Sequence, residues 1–138
     1  MPDGSFKLDI VTPAKALERD QPVVSVIVPA AEGYLGILPG HAPLIAELVP
    51  GEIRVTRATG AEETMATSGG FLEVTPERVT ILADTAERPD EIDVERAREA
   101  LARAQERLAS PPPGTDIDRA RAALARATAR LRVAGQIR

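Results

Sequence analysis

A mainly β domain of short strands followed by an antiparallel pair of α-helices is the fold class that this sequence predicts, on three observations. Up to residue 84, aliphatic runs recur every ~8–12 residues between glycine and proline breaks, the spacing of a sandwich or barrel. After Arg88-Pro89-Asp90 the apolar period changes from two to alternate steps of three and four, which is helical. The tail that follows is an internal repeat, two copies of one pattern joined by Ser110-Pro111-Pro112-Pro113-Gly114.

The elements follow in order. Phe6, Leu8 and Ile10 alternate with Lys7 and Asp9, giving a strand one buried and one wet face. Residues 23–28 are a β-branched run ended by Pro29. Further strands are expected at 44–48 before Pro50-Gly51, 53–57 before Thr59-Gly60, 63–67, 71–74 before Pro76, and 79–83. Such breaks favour antiparallel pairing over alternating β and α units. Pro89 disfavours helix at the residue before it, and Asp90 or Asp93 can cap the first helix. Val94, Ala97, Leu101, Ala104 and Leu108 mark its apolar face. From near Asp116, Ile117, Ala120, Leu124, Ala127, Leu131 and Ala134 repeat that face, with Gly135 as terminator.

At an offset of 23, residues 93–108 and 116–131 are identical at 11 of 16 positions, Asp93/Asp116, Arg96/Arg119, Arg103/Arg126 and Arg107/Arg130 among them. Faces this apolar must be covered, so the two helices should pack as a hairpin. A buried Leu contributes roughly 1.5–3 kcal/mol and Ala far less, so an Ala-rich seam docks weakly. Ala, Arg, Leu and Glu nevertheless favour helix even when undocked. The tail therefore reads as a segment with two arrangements, the alternative being a hairpin that stays closed.

Composition narrows the function. The chain has 138 residues, enough for a small core plus an appendage. Residues 1–90 hold 7 basic and 14 acidic side chains, and residues 91–138 hold 10 and 7, so the front is acidic and the tail basic. That balance argues against nucleic-acid binding and leaves the tail able to meet an anion. With no cysteine and a single histidine, His41, neither a disulfide framework nor a metal site is expected. Met1-Pro2-Asp3-Gly4-Ser5 shows no leader pattern, and no apolar run approaches the ~20 residues of a spanning helix, so direct membrane insertion is not expected.

Residues 32–44 interleave Gly33, Gly36, Gly40, Pro39 and Pro43 with Tyr34, Leu35, Ile37 and Leu38. Proline fixes φ and glycine permits unusual φ, so the segment reads as a shaped loop suited to docking. It offers little chemistry beyond Glu32, Tyr34 and His41. An enzyme using His41 and Glu32 is one alternative; a structural or interfacial His41 is the simpler one. In the tail, Arg96, Arg103 and Arg107 share one side of the first helix, and Arg119, Arg126 and Arg130 repeat them. Guanidinium forks suit phosphate, whereas surface pairing such as Glu95 with Arg98 or Glu99 with Arg103 is the bland alternative. No phosphate-binding Gly-rich loop ending in Lys-Ser or Lys-Thr is present, which argues against nucleotide hydrolysis.

Residues 33–44, Ser68-Gly69-Gly70-Phe71-Leu72-Glu73-Val74, and 79–86, taken with the two-helix tail, resemble the epsilon subunit of bacterial F-type ATP synthases, called delta in mitochondria. The resemblance covers nearly the whole chain. It implies a ten-stranded β-sandwich over residues 1–88 and a regulatory helical hairpin over residues 89–138. It also implies a non-catalytic subunit on the central stalk, beside the gamma subunit and the c-ring, at the cytoplasmic face of a bacterial plasma membrane. Glu32, Tyr34, Gly36, Leu38, Pro39, His41 and Pro43 would dock on gamma and the c-ring. At Tyr34 some relatives carry a glutamate that meets the c-ring, a part that Glu32 can take here.

The tail resembles a switch that lies compact against the sandwich or extends along gamma toward the alpha and beta subunits, resisting ATP hydrolysis. Some relatives bind ATP on the compact hairpin through Ile/Leu-Asp-x-x-Arg-Ala, which Ile92-Asp93-Val94-Glu95-Arg96-Ala97 matches. The resemblance adds Glu87, Arg103, Arg126 and Arg130 to Ile92, Asp93, Arg96 and Ala97 as the ATP-binding set. No cofactor is implied, and ATP is the implied regulatory ligand. The triple proline is unlike many relatives and should stiffen the hairpin. A stand-alone nucleotide-sensing adaptor is the alternative function, separable by whether gamma co-purifies.

Overall fold

Alternating aliphatic and polar residues build the strands, and the chain folds as expected into a β-sandwich followed by a helical hairpin. The structure, a computed structural model, describes residues 4–138. Residues 1–3, the start of the segment read above as lacking a leader pattern, lie outside the described residues. The strands are β1 Phe6–Val11, β2 Ala16–Ala30, β3 Gly33–Ile37, β4 Leu44–Leu48, β5 Gly51–Arg57, β6 Glu62–Thr67, β7 Gly70–Val74, β8 Arg78–Ala83 and β9 Ala86–Glu87. A 3-10 turn, Pro89–Glu91, leads to α1 Val94–Ala109 and α2 Ile117–Val133.

Nine strands are thus found among the described residues where ten were expected, because β2 serves both layers as one 15-residue strand. Its first half pairs with β1 and its second half with β3 and β5. The bend between the halves is a bulge at Asp20, whose φ is +50. Asp20 donates its amide to Asp9 Oδ1 at 2.8 Å, and Arg78 reaches both Asp9 and Asp20. The sheet path runs β1-β8-β7-β4-β2-β5-β6-β9. β1 pairs with β8 in parallel, an exception to the antiparallel expectation that a long connection makes feasible.

The core is aliphatic. Leu8, Ile10, Val26, Val28, Ile53, Val55, Leu72 and Ile81 are fully buried between the layers. Backbone closeness is tightest at Gly70, where a Cβ would sit 2.1 Å from Leu82 O and φ is +141. Only glycine fits there without displacement.

Both helices are capped as their repeat implies: Asp93 accepts from Arg96 N and Asp116 from Arg119 N, each at 3.1 Å. Gly135, at φ +75, ends α2 with Gln136 N donating to Leu131 O and Gly135 N to Arg132 O, the 6→1 and 5→2 pattern. α2 packs on β5 and β6. Its docking cluster is small: Ala66, Ile92 and Ala129 are buried, with Val94, Val133 and Ala134 around them.

The repeat explains which helix faces inward. Where α1 has exposed Glu99 and Glu106, α2 has half-buried Ala122 and buried Ala129. The copies therefore diverge where one meets solvent and the other meets the sandwich.

Candidate functional site

The two helices and the linker enclose a cleft of about 1000 Å³. Its floor is alanine, Ala97 and Ala104 from α1 with Ala120 and Ala127 from α2, all buried. Short side chains leave room between the helices, and arginines line the rim: Arg96, Arg103 and Arg107 on α1, Arg119, Arg126 and Arg130 on α2. Arg130 Nε binds Glu87 Oε1 at 2.5 Å. Among the described residues, the other five have no salt-bridge partner. Glu95 does pair with Arg98 at 2.7 Å, as the surface-pairing alternative anticipates, but that pair lies outside the cleft.

Seven of the eight residues expected around a nucleotide line this cleft: Glu87, Asp93, Arg96, Ala97, Arg103, Arg126 and Arg130. Ile92 does not. It is buried against Ala66 and Ala129, so its apolar side chain helps fasten the hairpin instead.

The linker is anchored immediately before the cleft. Arg88 binds Glu63 Oε1 at 2.7 Å, Glu18 Oε1 at 3.1 Å and the Leu17 carbonyl at 3.2 Å. Arg57 reaches Glu18 and Glu63 from the other side. Burial pushes the Glu63 carboxyl up, but its hydrogen bonds from Arg57 and Arg88 outweigh that and hold it below the usual carboxylate range. Hydrogen bonds to Glu18 and Glu63 raise the Arg57 guanidinium above its ordinary value. Glu91, in the 3-10 turn, is lowered by its hydrogen bond from Lys15 and then by that from Arg88 N.

The expected docking residues are brought together less completely. The segment read as one loop is a strand followed by a turn: β3 pairs along β2, and residues 38–43 form the turn. Glu32 and His41 lie beyond opposite ends of β3, whose residues 33–37 alone span about 13 Å. The His41 ring instead places Nδ1 2.7 Å from the Ala42 carbonyl. Tyr34 leaves its ring exposed, and its hydroxyl accepts from Glu52 N at 3.1 Å. Gly36, Leu38, Pro39 and Pro43 are exposed, and Leu38 is a large apolar side chain at 60% exposure.

Family models match residues 5–135: the beta-sandwich domain of the ATP synthase delta/epsilon chain over residues 5–89, and its long alpha-helix domain over residues 90–135. The chain belongs to the ATP synthase delta/epsilon family. An ATP synthase epsilon chain of Moorella thermoacetica is 54% identical, over 97% of this chain and 99% of the relative. That of Carboxydothermus hydrogenoformans is 55% identical, over 96% and 97%. A chain in the mitochondrial ATP synthase OSCP/F1/c-ring structure of Euglena gracilis superposes with a TM-score of 0.81 at 26% identity, covering 95% of this chain and 81% of that one.

This delta/epsilon-family sandwich also carries a surface that sequence reading missed. Leu82 and Phe71 are cross-strand partners, each 56% exposed, and Val11 pairs with Leu82 from β1. Ile45, 73% exposed, lies on the same face of β4. The strand pattern showed alternation at Phe71 but could not tell which face would stay open, because both faces carry apolar side chains.

Proposed function

We propose that this delta/epsilon-family chain is a non-catalytic central-stalk subunit of an F-type ATP synthase, with a sandwich that couples rotation and a hairpin that restrains ATP hydrolysis. Turn and edge residues from Glu32 to Pro43 meet the c-ring, and the open Phe71–Leu82 face seats on gamma. Location follows from those partners: the subunit is peripheral, on the cytoplasmic face of a bacterial plasma membrane. No described helix is long and apolar enough to cross a membrane.

The observation that carries the regulatory reading is the cleft between weakly docked helices. A small cluster of Ala66, Ile92 and Ala129 and the Arg130–Glu87 pair hold the hairpin down, while the unpaired arginines surround space for a phosphate-bearing ligand. ATP binding only the compact form stabilises it by RT ln(1 + [ATP]/Kd), about 2.7 kcal/mol at a hundredfold excess over Kd. Loss of ATP then releases the basic hairpin along gamma toward the alpha and beta subunits. The seven cleft residues named above hold the nucleotide, while Ile92 fastens the start of the hairpin to the sandwich.

Calorimetric titration of ATP into the isolated chain tests this. A saturable heat is expected, weakened about tenfold or more by Arg103→Ala or Arg126→Ala, since each removes a charge-assisted contact. No heat at millimolar ATP contradicts it.

A further inference from the structure

The repeat in the helices is also a repeat in the cleft. Each of the seven α1-side positions lining it, from Asp93 to Arg107, has its partner at an offset of 23 lining it from the α2 side. Because the helices run antiparallel, like residues fall at opposite ends. Arg96 is level with Arg130 near the sandwich, and Arg107 is level with Arg119 near the proline loop. The two ends are separated by about 16 Å along α1, from the helical rise.

The proposed nucleotide set uses Arg96, Arg103, Arg126 and Arg130 and leaves Arg107 and Arg119 without a task. Neither has a salt-bridge partner among the described residues. A cation in the last turn of α1 suits the helix dipole, which accounts for Arg107 alone. Arg119 sits in the first turn of α2, where the dipole disfavours a cation. The α2 N-terminus is closed by its own Asp116, so any anion held here meets guanidinium groups rather than free amides. At about 1000 Å³ the cleft reaches the upper limit of ordinary ligand pockets, ~300–1,000 Å³, leaving space beyond one ligand.

The copies differ at one telling position. Where the sandwich end has Ile92, buried against β6, the loop end has Thr115, whose hydroxyl is committed to the Pro112 carbonyl at 2.6 Å. The loop end thus keeps the charges of the repeat and lacks the apolar anchor that ties the other end to the sandwich.

We propose that Arg107 and Arg119 form a second subsite that takes phosphoryl groups without a base: inorganic phosphate, pyrophosphate or the end of a polyphosphate chain. It rests on the reading of the cleft as a phosphate-binding groove, and adds a second input that favours the compact hairpin. Two level forks match the several oxygens of a pyrophosphate.

Titration of pyrophosphate into the full chain, followed by calorimetry, is the test, with far-UV circular dichroism confirming that each variant keeps its helices. The expected results are saturable binding below about 10 mM, weakened at least about tenfold in an Arg107→Gln/Arg119→Gln variant whose ATP heat changes little. Pyrophosphate should still bind when ATP is saturating. If ATP gives no heat but pyrophosphate binding depends on Arg107 and Arg119, the nucleotide reading fails and this one stands. Absence of pyrophosphate binding, equal binding by the double variant, or full displacement by ATP overturns it.

Discussion

Gly70 shows how much one residue can decide in this fold. Its missing Cβ lets β7 approach β8 so closely that a methyl group would lie 2.1 Å from Leu82 O. Gly70→Ala is expected to cost about 3 kcal/mol, from strain at positive φ plus backbone displacement, read as a lower urea midpoint with unchanged slope. Charged residues make a second expectation. Burial raises the Asp9 carboxyl, but the Asp20 amide and Arg78 outweigh it, so Asp9, Glu63 and Glu91 all end below their ordinary values. Groups lowered in the folded state bind fewer protons there than when unfolded. Their contribution is present above the unfolded values near ~4 and is lost as pH falls through the folded ones. Thermal melts should therefore be flat near neutrality and fall below about pH 4, less steeply for Glu63→Gln.

Among the elements, the hairpin is where sequence and packing speak most directly to one another. Ala129 is the α2 counterpart of exposed Glu106, and its small size is what lets α2 lie on Ala66. Ala129→Glu restores the α1 residue and places an unpaired carboxylate in the docking cluster. It should raise the open population at least about tenfold, measured as faster tryptic cleavage at the arginines of α1 and α2 with the sandwich melt unchanged. Most elements were legible because their periods are plain: β1, β4 to β8 and both helices follow from alternation, capping and the repeat. β3 was not, since Gly33-Tyr34-Leu35-Gly36-Ile37 looks like a turn until β2 supplies its partner. The first half of β2 was hidden by Glu18, Arg19, Asp20 and Gln21, polar residues that form a strand because Arg57, Arg78 and Arg88 neutralise Glu18 and Asp20. At the candidate site, the arginines and caps were visible as a repeat. The inward turn of Ile92 and the open face at Phe71 were not, because both depend on how separate layers meet.

At the scale of the whole molecule, a rigid sandwich and a loosely docked hairpin meet at a fixed point. Arg88 is tied to Glu18 and Glu63, and Glu91 to Lys15, so the release proposed above would pivot beyond the Pro89–Glu91 turn. The cysteine-free sequence permits specific labelling at two exposed positions, Thr59→Cys on the sandwich and Ala102→Cys on α1. α1 is 16 residues long, about 24 Å, so its release moves the second label by a distance on the order of 20 Å. The decisive measurement is the label-to-label distance in the assembled ATP synthase, by pulsed electron spin resonance, with and without ATP. A single short distance at saturating ATP, joined by a longer population on its removal, is the result expected. One unchanged distance in both conditions would contradict the account.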